Sequence, residues 1–177
     1  MNGRELFSSG MTFDEFVNTD TSTYKEKTLQ VFNSINFEDE YVEKIKSIDR
    51  AINILVCAEM WCPDCMINVP VLEKMKELNS NINISIVKKE GNESFFSQYT
   101  HNGIVKIPTF VLYDENFQEL GSFVEHPKKV TEVVSKGNQP NIIVTMRKYR
   151  KGEYAQETLK DILEIIQKQM LKKIYNE

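Results

Sequence analysis

The chain has 177 residues, 41% of them hydrophobic and 27% charged, with 7 Gly and 5 Pro. That is enough for one decorated domain with a sizeable core, and there is no low-complexity stretch or internal repeat. A formal net charge of −4 gives no general electrostatic reason to expect nucleic-acid binding. The start of the chain lacks the apolar segment of a signal peptide. Its longest aliphatic run, 51–58, is far short of the ~20 residues a membrane-spanning helix needs. The expectation is therefore no membrane association and a cytoplasmic location. In that reducing compartment structural disulfides are rare, and a close cysteine pair points to catalysis, redox sensing or metal binding.

Taken in chain order, residues 1–49 read as a helical extension. Thr12 is an N-cap candidate with Glu15 three residues later, a capping-box pattern. Apolar residues recur at Leu29, Phe32 and Ile35, then after a break near Asn36 at Tyr41, Ile45 and Ile48, as amphipathic helices on a core require. The run from Ala51 to Ala58 is apolar and β-rich, the mark of a central strand buried on both faces. Met66, Val69, Leu72, Met75 and Leu78 then follow a helical period, and Ile82 to Val87 alternates as a strand. Phe95, Phe96 and Tyr99 predict a short helix closing at Asn102-Gly103. Thr109–Tyr113 and Glu119–Glu125 flank a turn signal at Asp114-Glu115-Asn116 and predict a hairpin, after which Pro127 starts a helix through Val130, Val133 and Val134. This order implies an α/β sheet with helices on both faces over 50–137.

Residues 138–177 read as a linker and a C-terminal helix. Arg147, Lys148, Arg150 and Lys151 form a basic cluster that suits a solvated linker in an acidic chain. Leu159, Ile162, Leu163, Ile166, Met170 and Ile174 make one helical stripe. Packing on the chain's own core is the expectation for that stripe, with homodimerisation or partner docking as the alternative.

The chemistry concentrates in Trp61-Cys62-Pro63-Asp64-Cys65, between the first strand and its helix. Two intervening residues at a helix start place both sulfurs in the first turn. Unpaired N–H groups and the macrodipole there favour a thiolate at Cys62, the form that attacks disulfides. Cys62 would attack and Cys65 would resolve the mixed disulfide, leaving a redox-active Cys62–Cys65 disulfide with no bound cofactor. Pro63 suits the first helical turn, while Asp64 opposes the dipole's effect on the thiolates. A zinc site normally needs two further ligands. Only Cys57, His101 and His126 remain, none at ligand spacing, so no metal is expected, and Cys57 reads as a small buried hydrophobe.

Together with Ile107-Pro108-Thr109 ahead of the hairpin, these elements resemble the thioredoxin superfamily, specifically its small members with Trp-Cys-Pro-Asp-Cys. The resemblance implies a thioredoxin-like fold with a mixed sheet, plus N- and C-terminal helical extensions. It implies that Trp61 lines the site and that Pro108 is a cis-proline against the cysteine pair. Ile107 would then offer its backbone to an extended substrate strand, with Thr109 beside it. Members of the family usually carry a buried aspartate six residues before the nucleophile; here that position is Val56. Glu59 is the nearest upstream acid. It is expected either to take the Cys65 proton or to stand as an exposed carboxylate at a strand end. Lys89 falls near where the family often places a lysine.

The implied activity is a thiol–disulfide oxidoreductase acting as a disulfide reductase. Its partners would be disulfide-containing proteins or low-molecular-weight thiols, with a reductase or thiol of unknown identity as electron donor. The alternative is a redox-sensing adaptor with little turnover.

Overall fold

The computed structural model describes residues 1–20, 22–100 and 103–175, with side chains through residue 168. His101, Asn102, and the Met170 and Ile174 side chains of the predicted stripe lie outside that description. β1 (Ile52–Cys57) is buried along its whole length, which is possible only at the centre of a sheet covered on both faces. Its neighbours are β2 (Ile82–Val87), which runs parallel to it, and β3 (Thr109–Tyr113), antiparallel. β4 (Glu119–Val124) pairs antiparallel with β3, giving the mixed four-stranded order β2-β1-β3-β4.

Parallel neighbours need a crossover. Here it is α5 (Pro63–Leu78), with the buried Val69, Leu72 and Met75 on its core face. At the other end of the loop system, the register pairs Cys57 with Thr109 and Val56 with Phe110. The residue before Thr109 therefore sits beside the strand end from which the chain turns into α5.

The N-terminal extension packs on this core as four helices: α1 (Gly3–Ser9), α2 (Phe13–Val17), α3 (Thr23–Ser34) and α4 (Asp39–Lys46). The capping box expected at the head of α2 forms: Glu15 N–H donates to Thr12 Oγ1 at 3.2 Å, and Thr12 N–H donates to Glu15 Oε2 at 2.8 Å. Between α1 and α2, Met11 exchanges two backbone hydrogen bonds with Ile86 at 2.7 and 2.8 Å. They occupy part of the free edge of β2, which would otherwise offer unpaired backbone groups. The approach is so close that a Cβ at Gly10 would lie 2.1 Å from Ser85 Oγ.

After α6 (Glu93–Phe96), a 3-10 turn and the hairpin, α7 (Lys128–Ser135) is followed by α8 (Gln139–Tyr149) and α9 (Ala155–Tyr175). The segment read as a linker thus contains a helix, and the basic cluster lies on and just beyond it. Asn138 caps α8, accepting the Asn141 N–H at 3.1 Å. The apolar signature of α8 is weak because only Thr145 and Tyr149 are buried. Tyr149 is held by Asn68, a buried α5 residue whose amide Nδ2 lies 2.7 Å from the Tyr149 hydroxyl and 3.1 Å from the Asp64 and Glu125 carbonyls. The same Asn68 accepts from Thr158 Oγ1 of α9 at 2.7 Å, so one buried amide joins α5, α8 and α9.

In α9, Leu159, Ile162, Leu163 and Ile166 are buried in the chain's own core, as expected for the described half of the stripe. α9 also crosses β4 at Gly121, whose φ of +155° and proximity to Ile165 leave no room for a side chain: a Cβ would sit 2.9 Å from Ile165 Cγ2. Leu159→Ala should therefore cost ~2–5 kcal/mol through cavity formation, read from urea unfolding. A loss below ~1 kcal/mol would show that α9 is peripheral to the fold.

Candidate functional site

The site lies where β1 ends. The backbone leaves the strand through Ala58 and Glu59 and turns at Cys62, the N-cap of α5, with Pro63 in the first helical turn. The Cys62 N–H donates to the Glu59 carbonyl at 3.1 Å, and the Cys62 carbonyl accepts from Met66 N–H at 3.1 Å. Pro63 lacks an N–H where a helix has no acceptor for one, so it fixes the turn without loss of a bond. Cys65 is fully buried beneath, while Cys62 keeps 5% of its surface exposed. Both are free thiols.

Opposite them stands the loop before β3. The Ile107–Pro108 peptide bond is cis, as the family resemblance implied, and the Cys62 thiol donates to the Ile107 carbonyl at 3.5 Å. The proline loop and the cysteine pair thus meet across 45 residues of sequence. Thr109 binds back into the loop, its Oγ1 donating to the Lys106 carbonyl at 2.7 Å. Trp61, 58% exposed, stands on the solvent side of the turn.

The electrostatics separate the two thiols. The hydrogen bond from Cys65 holds the Cys62 pKa below its ordinary value, against desolvation, with backbone N–H groups of the helix start adding to it and the Asp64 charge opposing it. Cys65 is pushed well up, first by burial and then by its bond and proximity to Cys62; the Glu59 backbone N–H works the other way. Cys57, buried at the end of β1, is raised to about 12, chiefly by desolvation. Val56, at the position where the family usually has an acid, is wholly buried between Ile86 and Phe110.

Glu59 meets Cys65 through its main chain. Its carboxylate Oε1 accepts the Lys89 N–H at 3.0 Å, fastening the exit of β1 to the segment after β2. Lys89 contributes to this arrangement through its backbone.

Two groups that sequence reasoning did not place here complete the surroundings. His126 Nε2 lies 3.2 Å from Asp64 Oδ1, with Nδ1 3.7 Å from Glu125 Oε2. Its ring meets Tyr149 edge-on, with centroids 5.2 Å apart. His126 was visible only as a spare metal ligand, and Tyr149 lay in the expected linker. No local spacing connects either to Asp64. Among the described residues, no three or more His, Cys, Asp or Glu side chains gather as a metal site, and no helix is long and apolar enough to cross a membrane.

Comparison with known proteins agrees with this fold. A family model described as thioredoxin matches residues 10–151, from just after α1 to just past α8. A thioredoxin from Mycoplasmopsis pulmonis is 26% identical over 92 residues, spanning 50% of this chain and 82% of the relative. Among solved structures, a Pseudomonas aeruginosa protein of unknown function is 30% identical with a TM-score of 0.83, the match covering 94% of this chain and 98% of that one. An HIV epitope-scaffold protein is similar at 29% identity and a TM-score of 0.84, again over 94% and 98%. The extensions are thus shared over nearly whole chains.

The three thiols should react in a set order. Iodoacetamide near neutral pH should modify Cys62 first, with Cys57 and Cys65 protected until the chain unfolds, as peptide mapping can read. Folding stability should also fall in alkali. Unfolded Cys57 ionises near its ordinary 9.0 and the folded residue only near about 12, so above about pH 9 the unfolded state releases more protons. Urea titrations between these pH values should show a shallower decline for Cys57→Ala; an identical slope would remove Cys57 from the effect.

Proposed function

The chain belongs to the thioredoxin family, and from that premise we propose that it is a thiol–disulfide oxidoreductase working as a disulfide reductase through Cys62 and Cys65. The observation that carries the reading is the Cys62 thiol at the start of α5, 3.5 Å from the carbonyl preceding cis-Pro108, over a fully buried Cys65. A low-pKa, outer thiol paired with a buried, high-pKa inner thiol is the division of labour a two-step exchange needs.

In the first step the Cys62 thiolate attacks one sulfur of a client disulfide. The client S–S bond breaks, a Cys62–client disulfide forms, and the other client sulfur leaves as a thiolate and is protonated. In the second step Cys65 gives up its proton and attacks Cys62 Sγ. The second client sulfur leaves, the client has gained two electrons and two protons, and a Cys62–Cys65 disulfide remains. A dithiol or thiol donor returns the pair to its reduced form. The Cys65 proton departs toward Glu59, through water to the carboxylate held by Lys89, and Glu59→Gln tests that route by slowing resolution of the mixed disulfide.

The client would lie along the Ile107 backbone as an added strand, with Trp61, Pro63, Asp64 and Thr109 around the exchanging sulfurs. A groove of about 670 Å³ continues from Lys106, Glu125 and His126 to Ile142 and Met146, past the exposed Ile104, and could seat the rest of the segment. Low-molecular-weight disulfides would use the same sulfurs without the groove. A reducing, cytosolic setting suits a chain whose cysteine pair is free to cycle.

Insulin reduction with dithiothreitol as donor tests the reading. The wild-type protein should turn over; Cys62→Ser and Cys65→Ser should fall at least ~100-fold, with Cys65→Ser accumulating a mixed disulfide on Cys62. Wild-type turnover no faster than dithiothreitol alone, with a Cys62–Cys65 disulfide that still forms and breaks, would favour the redox-sensing adaptor. Full activity in Cys65→Ala would overturn the two-cysteine cycle.

A further inference from the structure

Asp64 is an awkward residue for a nucleophile's first turn. A carboxylate suits the helix N-terminus, yet its charge disfavours the neighbouring Cys62 thiolate. The structure surrounds it with groups from distant parts of the chain. His126, just beyond β4, has its Nε2 3.2 Å from Asp64 Oδ1. Tyr149, the last residue of α8, is buried behind that ring and interacts electrostatically with Asp64. Asn68, one turn along α5, holds the Tyr149 hydroxyl at 2.7 Å and the Asp64 carbonyl at 3.1 Å. On the far side of the ring, Glu125 lies 3.7 Å from His126 Nδ1 and is itself paired with Lys106 at 3.2 Å. The carboxylate thus lies within 3.2 Å of His126 Nε2 while its charge acts on the Cys62 sulfur.

We propose that His126, braced by Tyr149, is a positioning residue that holds the Asp64 carboxylate by a hydrogen bond and thereby sets how readily Cys62 ionises. The inference rests on the dithiol reading for its significance, but not for its measurement. Hydrogen bonding to His126 draws carboxylate charge away from the sulfur, which reduces the cost that Asp64 imposes on the thiolate. It follows that the C-terminal extension is part of the redox centre: α8 carries the aromatic side chain that keeps the histidine on its partner. This also gives the extension a task that a minimal core, ending before α8, could not perform.

The test is the pH dependence of Cys62 alkylation in the full-length chain, on the Cys57→Ala background so that one reactive thiol is read. His126→Leu, which keeps bulk and removes the donor, should raise the Cys62 midpoint by ~0.5–1 pH unit, a roughly three- to tenfold loss of thiolate below the midpoint. His126→Gln, which keeps a donor, should recover part of the shift, and Tyr149→Leu, which removes the ring behind the histidine, should move the midpoint the same way by less. Asp64→Asn should lower the midpoint, and adding His126→Leu to it should change nothing further. A merely structural histidine would shift the midpoint equally whether or not position 64 carries a carboxylate. Equal effects of His126→Leu in the wild-type and Asp64→Asn backgrounds therefore overturn the proposal. So does an unchanged midpoint in His126→Leu. Should His126→Leu fail to fold, His126→Gln against Asp64→Asn provides the same cycle. If the midpoints move as expected but insulin is not reduced, the reductase reading fails and the positioning role stands.

Discussion

The pairing of β1 with β3 is the constraint on which the site depends. Cys57 stands opposite Thr109, so the cis-proline immediately before Thr109 is delivered to the strand end from which the chain climbs into α5. Neither partner of the 3.5 Å contact between Cys62 and the Ile107 carbonyl is brought to the other by its immediate sequence neighbours. The contact is inherited from a register, and the register is held by a strand buried along its whole length. A slip of one residue would turn Val56, Ile54 and their partners to the wrong faces, so the packing of the core and the meeting of cysteine with proline are enforced together.

A second organising group is Asn68. Its side chain is fully buried, where an unpaired amide would be costly, and its partners come from the first turn of α5, the exit of β4, α8 and α9. The same amide that satisfies these distant carbonyls and hydroxyls sits one turn below the cysteine pair. Stability of the terminal extension and order in the redox centre are therefore not separable quantities in this chain. At the opposite edge of the sheet, the backbone pairing of Met11 with Ile86 sets α1 and α2 against β2, while α3 and α4 pack on α5 and α4 reaches α9.

The electrostatic character of the centre follows from how these elements converge. The helix start and the Cys65 hydrogen bond favour a Cys62 thiolate, and Asp64 opposes it. With Val56 where the family usually carries a buried acid, the carboxylates that flank the pair in sequence are Glu59, anchored to the Lys89 N–H, and Asp64, 3.2 Å from His126 Nε2. The ionisable side chains around the cysteine pair are thus supplied by a strand exit, a helix turn and the segment just after β4.

Much of this was legible before any coordinates. The apolar run of β1, the helical period of α5 and the capping box of Thr12 and Glu15 are local patterns, and each formed as read. The cysteine pair at a helix start could be picked out from its spacing, whereas the cis bond at Ile107-Pro108 was legible only through the family resemblance. The α8 helix was not legible, because a helix that buries only Thr145 and Tyr149 leaves almost no periodic signal. The neighbourhood of His126, Tyr149 and Asp64 was invisible for a deeper reason. Hydrophobic period and capping are set by residues three or four apart, and so can be read along the chain. Which polar groups share a buried pocket is decided only when strand register and helix packing bring distant segments together, so that part belongs to the tertiary structure alone.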